Sequence, residues 1–109
     1  MGRDIERFTF VLLRRPPDAP GYPEERLDEI QEQHLAHLDE LRERGVLLLV
    51  GPFGDQADES LRGLCLLTTG LEEARALMAR DPAVVAGRLA ADIMSWWTPR
   101  GSLPPSGSS

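Results

Sequence analysis

Lysine is absent from this chain: all twelve basic residues are arginine. That excludes a Schiff-base lysine and the lysine of a phosphate-binding loop. Cysteine is nearly absent too. Cys65 stands alone, so no disulfide can close within the chain. It sits in the apolar run GLCLLTT and reads as a small buried hydrophobe rather than a nucleophile. No apolar run approaches the roughly 20 residues that a membrane-spanning helix needs. The opening MGRDIERFTF carries no apolar signal region. The expectation is a soluble cytoplasmic protein with no membrane partner. Positive charge is scarce and scattered, with 12 basic against 18 acidic residues and a net charge of −6. Nucleic acid is therefore not an expected partner, because phosphates call for a basic patch.

What is present is enough for one domain with a modest core: 109 residues, 41% of them hydrophobic. The aromatic and aliphatic run RFTFVLLRR, from Arg7 to Arg15, predicts a strand. The stretch PPDAPGYP is a loop, since neither a helix nor a central strand tolerates it. A helix then runs from about Pro23 to Arg44, with Glu24 and Glu25 at its positive end and Gly45 to stop it. VLLLVGPF, from Val46 to Phe53, and LRGLCLLTT, from Leu61 to Thr69, read as two strands of a hairpin. Thr69 followed by Glu72 has the spacing of a capping box for a second helix, whose apolar face is Leu71, Ala74, Leu77 and Met78. Asp81-Pro82 opens a short further helix that Gly87 ends. RLAADIMSWW, from Arg88 to Trp97, is the last strand.

This order suits an α+β, ferredoxin-like βαββαβ arrangement, a four-stranded antiparallel sheet with its helices on one face. The domain is expected over residues 1–99, with residues 100–109 a flexible tail by composition. Both faces of the strands carry apolar side chains, Phe8, Phe10 and Leu12 alternating with Thr9, Val11 and Leu13. The uncovered face wants a partner, and a homodimer packed sheet against sheet is the expectation. Trp96 and Trp97 point opposite ways, one toward the core and one toward that contact.

At about 100° per residue, Leu27, Ile30, Leu38 and Leu41 form one stripe of the first helix, and His34 lies in its middle. His37 sits at its edge. A buried imidazole must satisfy two ring nitrogens. It is either a structural histidine bonded to a carbonyl or a proton-transfer group oriented by a carboxylate. Asp81 is one candidate carboxylate, although Asp before Pro is also a helix cap in its own right. Asp92, in the last strand, is the other.

The segments QHLAHLDELRERGVLLLVGPF, ESLRGLCLL and EEARALMARDPAVVAGRLAADIMSWWTP, in this order and at these spacings, resemble the YCII-related (YciI-like) family over about Arg7 to Trp97. The resemblance implies a ferredoxin-like domain of the dimeric α+β barrel kind, with a His–Asp pair in a pocket near the dimer interface. The family's histidine-leucine matches His34-Leu35, and its aspartate-proline matches Asp81-Pro82. Its Gly-Pro matches Gly51-Pro52, which together with Phe53 would border a small-molecule ligand. This chain departs from the pattern at Ala83, where an aromatic is common, and at His37, where tyrosine is frequent. The proline-rich loop before the first helix is also longer. One branch of the family resembles a dehydrochlorinase of chlorinated aromatic breakdown; relatives by fold include muconolactone isomerase-like and monooxygenase-like enzymes.

Three readings follow. In the first, His34 is a general base or acid for elimination or isomerisation of a small carbonyl-bearing or cyclic molecule, with Asp81 fixing its tautomer and no cofactor required. In the second, the same pocket binds a ligand without turnover, as a regulatory module. In the third, His34, His37 and Asp81 hold a metal, H-x-x-H being a weak signal for it; the site is expected to be metal-free. Arg62 and Arg88 flank strands and are placed either to meet an anionic ligand or, by default, to form surface ion pairs.

Overall fold

The computed structural model describes residues 4–103. In chain order it contains β1 (Ile5–Arg14), α1 (Glu24–Glu43), β2 (Leu47–Pro52), β3 (Leu61–Leu67), α2 (Leu71–Ala79), α3 (Pro82–Val85) and β4 (Ala90–Pro99). The four strands form one antiparallel sheet in the order β2-β3-β1-β4. This is the expected ferredoxin-like fold. No helix among the described residues is long and apolar enough to cross a membrane.

Pairing register explains which side chains share a face, because directly opposed residues point the same way. Val11 faces Cys65 and Ile93, and Cys65 faces Val50. This row packs under the helices, whose buried residues are Ile30, His34, Leu38 and Leu41 from α1 and Ala74, Leu77 and Met78 from α2. The other face carries Phe8 against Trp96, and Phe10 against Met94 and Leu66. Leu49 lies beyond Leu66. The Phe8 and Trp96 ring centroids are 6.5 Å apart. No helix among the described residues covers this row, and Leu49, Met94 and Trp96 are exposed.

α1 ends as its sequence predicts. Gly45 takes a positive φ of 75°. Its N–H donates to the Arg42 carbonyl, and the Val46 N–H donates to Leu41. These two bonds are the Schellman pattern that glycine permits without Cβ strain. The same pair of bonds recurs after α3, with Gly87 at φ 77° donating to Val84 and Arg88 donating to Ala83. Close approach accounts for another glycine. A Cβ on Gly63 would lie 2.7 Å from the Gly51 carbonyl oxygen, so β2 and β3 meet here only because Gly63 lacks one.

Some expected details differ. The capping box does not form: Gly70 is the N-cap of α2 and makes no side-chain cap. Thr69 therefore lies one residue outside the helix. Its carbonyl accepts from the Thr9 hydroxyl, and its own Oγ1 is buried with no partner. β4 begins at Ala90 rather than Arg88, because the turn that ends α3 uses the backbone of Arg88 and Leu89. The strand also runs on to Pro99. Trp97 is not a core anchor. It is 59% exposed, with the Arg7 guanidinium carbon 5.9 Å from its ring centroid. Ile5, two rungs away on the same face, is exposed as well, so the β1–β4 ladder outruns the helical layer at this end. Arg100, expected to begin a tail, pairs with Asp4 and Glu6. The rest of that tail, residues 104–109, lies outside the described residues.

Candidate functional site

α1 and the loop after α2 bring His34 and Asp81 together across 47 residues of sequence. His34 Nδ1 lies 2.7 Å from Asp81 Oδ2 and 3.0 Å from Oδ1. Asp81 is fully buried and His34 is 8% exposed. A buried carboxylate at that distance accepts, so Nδ1 carries the proton and Nε2 is left as the unprotonated nitrogen of the neutral ring.

Asp81 also caps α3. Its Oδ1 accepts from the Ala83 N–H at 2.9 Å. One carboxylate thus serves two donors, and the cap fixes the orientation in which it meets the histidine. The Asp-Pro pair suits this local geometry, since Asp81 is extended at φ −63° and ψ 123° and Pro82 is pre-set for the first helical position.

His34 Nε2 makes no hydrogen bond to protein among the described residues. Nor is it sealed in the interior, because Thr69 Oγ1 is the one buried side-chain polar atom there without a partner. The ring borders a cavity of about 460 Å³ between α1 and the β2 side of the sheet. That is the size of a small-molecule site. Leu27, Ile30, Leu38, Leu47 and Val50 provide much of its apolar wall, and four arginines (Arg15, Arg42, Arg62 and Arg88) also line it.

Of the residues singled out in the sequence, Gly51 and Pro52 border this cavity and Phe53 does not. Phe53 lies just past the end of β2, where its N–H donates to the Arg62 carbonyl. Asp92 is not the histidine's partner. It faces Leu12 on the uncovered side of the sheet and pairs with Arg14 at 2.6 Å. His37 is half-buried and donates from Nε2 to the Leu77 carbonyl at 2.9 Å, which leaves the two histidines of H-x-x-H engaged separately. Among the described residues no three His, Cys, Asp or Glu side chains gather closely enough to hold a metal ion. Among the described residues, Arg62 and Arg88 do not take the default surface ion pairs. Arg15 was missed as a cavity residue, and its signal is the doublet Arg14-Arg15. Successive strand residues point opposite ways, so the two side chains must part at the end of β1.

Cys65 is buried on the helix-covered face. Burial, and then the nearby charge of Asp81, push its thiol up to about 12. The neutral thiol is no nucleophile at physiological pH. A disulfide-exchange reagent at pH 8 should leave Cys65 unlabelled in the folded protein and label it fully in denaturant. Rapid labelling of the native chain would contradict this burial.

Comparison with known proteins places the chain among others. The profile of the YCII-related domain matches residues 8–97. Among solved structures, similarity is found to 5-chloro-2-hydroxyhydroquinone dehydrochlorinase (TftG) from Burkholderia phenoliruptrix AC1100, in complex with 2,5-dihydroxybenzoquinone. The match has a TM-score of 0.55 and 22% identity, and covers 82% of this chain and 92% of that one. At this identity the likeness speaks for the fold. No curated protein matches the chain.

Proposed function

The chain belongs to the YCII-related domain family, and on that premise we propose that it is a small-molecule enzyme whose His34–Asp81 pair performs acid–base chemistry. The observation that carries this reading is the free Nε2 of His34 at the cavity wall, with Nδ1 held by a buried carboxylate. Nε2 takes a proton from a hydroxyl, or from a carbon next to a carbonyl. The electron pair left behind moves into the conjugated system. Either a leaving group departs with it at the far end, which is elimination, or His34 returns the proton at another carbon, which is isomerisation. Asp81 stabilises the imidazolium formed in between. Gly51 and Pro52 form part of the wall against the substrate.

The solved relative's substrate is the first compound to test. Chloride release from 5-chloro-2-hydroxyhydroquinone, or isomerisation of a related cyclic enone, supports the reading. Tight binding of such compounds with no turnover by the wild type favours a non-catalytic ligand-binding module instead.

The working unit proposed is a homodimer. The uncovered face presents Phe8, Phe10, Leu12, Leu49, Leu64, Met94 and Trp96 in adjoining rows. A second copy is the occupant that buries the same apolar face on both sides. Leu64 and Gly51 oppose each other by register and also line the cavity, which brings the proposed interface to the edge of the site. Sedimentation should give twice the chain mass, and Met94→Glu should shift it to one. A wild-type monomer at micromolar concentration would overturn the dimer.

A further inference from the structure

Two groups of arginines in this chain contrast. Arg14, Arg26, Arg44 and Arg100 each close on a carboxylate. Arg15, Arg62 and Arg88 border the cavity, and among the described residues none of them has a carboxylate at ion-pair distance. They are held instead by neutral backbone oxygens. Arg15 donates from Nε to the Arg88 carbonyl at 2.8 Å, and Arg88 from Nη1 to the Pro20 carbonyl at 3.0 Å. Arg62 donates from Nη1 to the Glu59 carbonyl at 3.2 Å. Such bonds hold a guanidinium without neutralising it, and the one carboxylate among the cavity-lining residues, Asp39, makes no ion pair with any of the three. Among the described residues, both Nη groups of Arg15 remain without a protein partner.

The proline-rich loop supports the cluster. Tyr22 donates its hydroxyl to the Ala86 carbonyl at 2.7 Å, and Pro20 packs so closely on Gly87 that a Cβ there would lie 3.1 Å from its ring. The loop is thereby pinned to the end of α3, where Arg88 emerges. Partial burial, with the guanidinium groups of Arg88 and Arg62 nearby, holds the Arg15 pKa below its ordinary value. Three like charges assembled beside an apolar cavity, in a chain of net charge −6, repel one another. An anion arriving from solution removes that cost and meets several donors at once.

We infer that the substrate is an organic anion whose charged oxygens, carboxylate or ionised ring hydroxyl, are bound by Arg15, Arg62 and Arg88 while its reacting atom faces His34. The inference rests on the cavity being the active site, and it adds the class of molecule that the cavity takes. The apolar part of the wall, from Leu27, Ile30, Leu38, Leu47 and Val50, favours a small organic body over bare phosphate.

Calorimetric titration of the full chain tests this without requiring turnover. The probes are 2,5-dihydroxybenzoquinone for a ring oxyanion, benzoate for a carboxylate, inorganic phosphate for a bare anion, and neutral hydroquinone. At least one organic anion should bind roughly tenfold or more tightly than hydroquinone and phosphate, and which one it is assigns the oxygen type. Arg15→Gln and the exposed Arg62→Gln should each weaken that anion by roughly tenfold to a hundredfold and leave hydroquinone unchanged. His34→Asn should keep the preference. The inference is overturned if no organic anion outbinds hydroquinone, if phosphate binds as tightly as the best of them, or if the preference survives in both arginine variants with native circular dichroism. An anion preference without turnover by the wild type would remove the enzymatic reading and leave the organic anion as a bound ligand of the three arginines, not a substrate. Turnover indifferent to both arginines would do the reverse.

Discussion

Asp81→Ala should lower the free energy of unfolding by about 1.5–5 kcal/mol, the sum of a lost helix cap and a buried donor left without its acceptor. Two losses add within that figure. The cap on α3 disappears, since the Ala83 N–H loses its acceptor, at roughly 0.5–2 kcal/mol. The His34 Nδ1–H is left buried without an acceptor, at roughly 1–3 kcal/mol. Urea denaturation of the two proteins measures the sum. Asp81→Asn separates the parts, because its amide oxygen still caps α3 while the charge facing His34 is gone. It should cost about 1–2 kcal/mol. If alanine costs no more than asparagine, the cap contributes nothing and the dual role of this carboxylate is wrong.

The second large effect is on rate. His34→Asn should lower kcat/KM by about 10²–10⁴-fold, the usual contribution of a positioned general acid or base. Asparagine suits the test because its side-chain amide takes roughly the place of Nδ1. The donor to Asp81 is kept and only Nε2 is deleted. The variant should therefore unfold within about 1–2 kcal/mol of the wild type. The loss should fall on kcat more than on KM, since the arginines and apolar walls that bind the ground state are untouched. A variant that is stable, binds substrate and turns over at the wild-type rate would show that His34 is a core histidine.

The fold was legible because its signals are local. Apolar runs, the proline-rich loop and the glycines at 45 and 87 mark strand, helix and stop, and the stripe of α1 places His34 inside. Where an element begins and ends was less legible. Thr69 has the composition of a cap, yet the chain extends through Gly70 before turning, and a three-residue motif does not record that. Trp97 has the composition of a core residue, but the length of the helical layer decides its exposure.

The site divides the same way. Placing His34 on an inward face needed only periodicity. Choosing between Asp81 and Asp92 did not follow from pattern, because the contact spans 47 residues. The structure sets Asp92 on the opposite face of the sheet with Arg14. The arginine cluster was less accessible still. Its members come from the end of β1, from β3 and from the turn before β4, and each alone resembles an ordinary surface charge. Their lack of carboxylate partners is a property of the assembled fold.

The central claim is that Asp81 holds the proton on Nδ1 and leaves Nε2 bare at the cavity. Long-range ¹H–¹⁵N correlation spectra of histidine-labelled protein, at a pH where the ring is neutral, read this directly. The account predicts that His34 shows a protonated Nδ1 and an unprotonated Nε2, that adding 2,5-dihydroxybenzoquinone perturbs Nε2, and that Asp81→Asn loses the fixed tautomer. A His34 ring protonated on Nε2, or one whose tautomer is unchanged in Asp81→Asn, would contradict it.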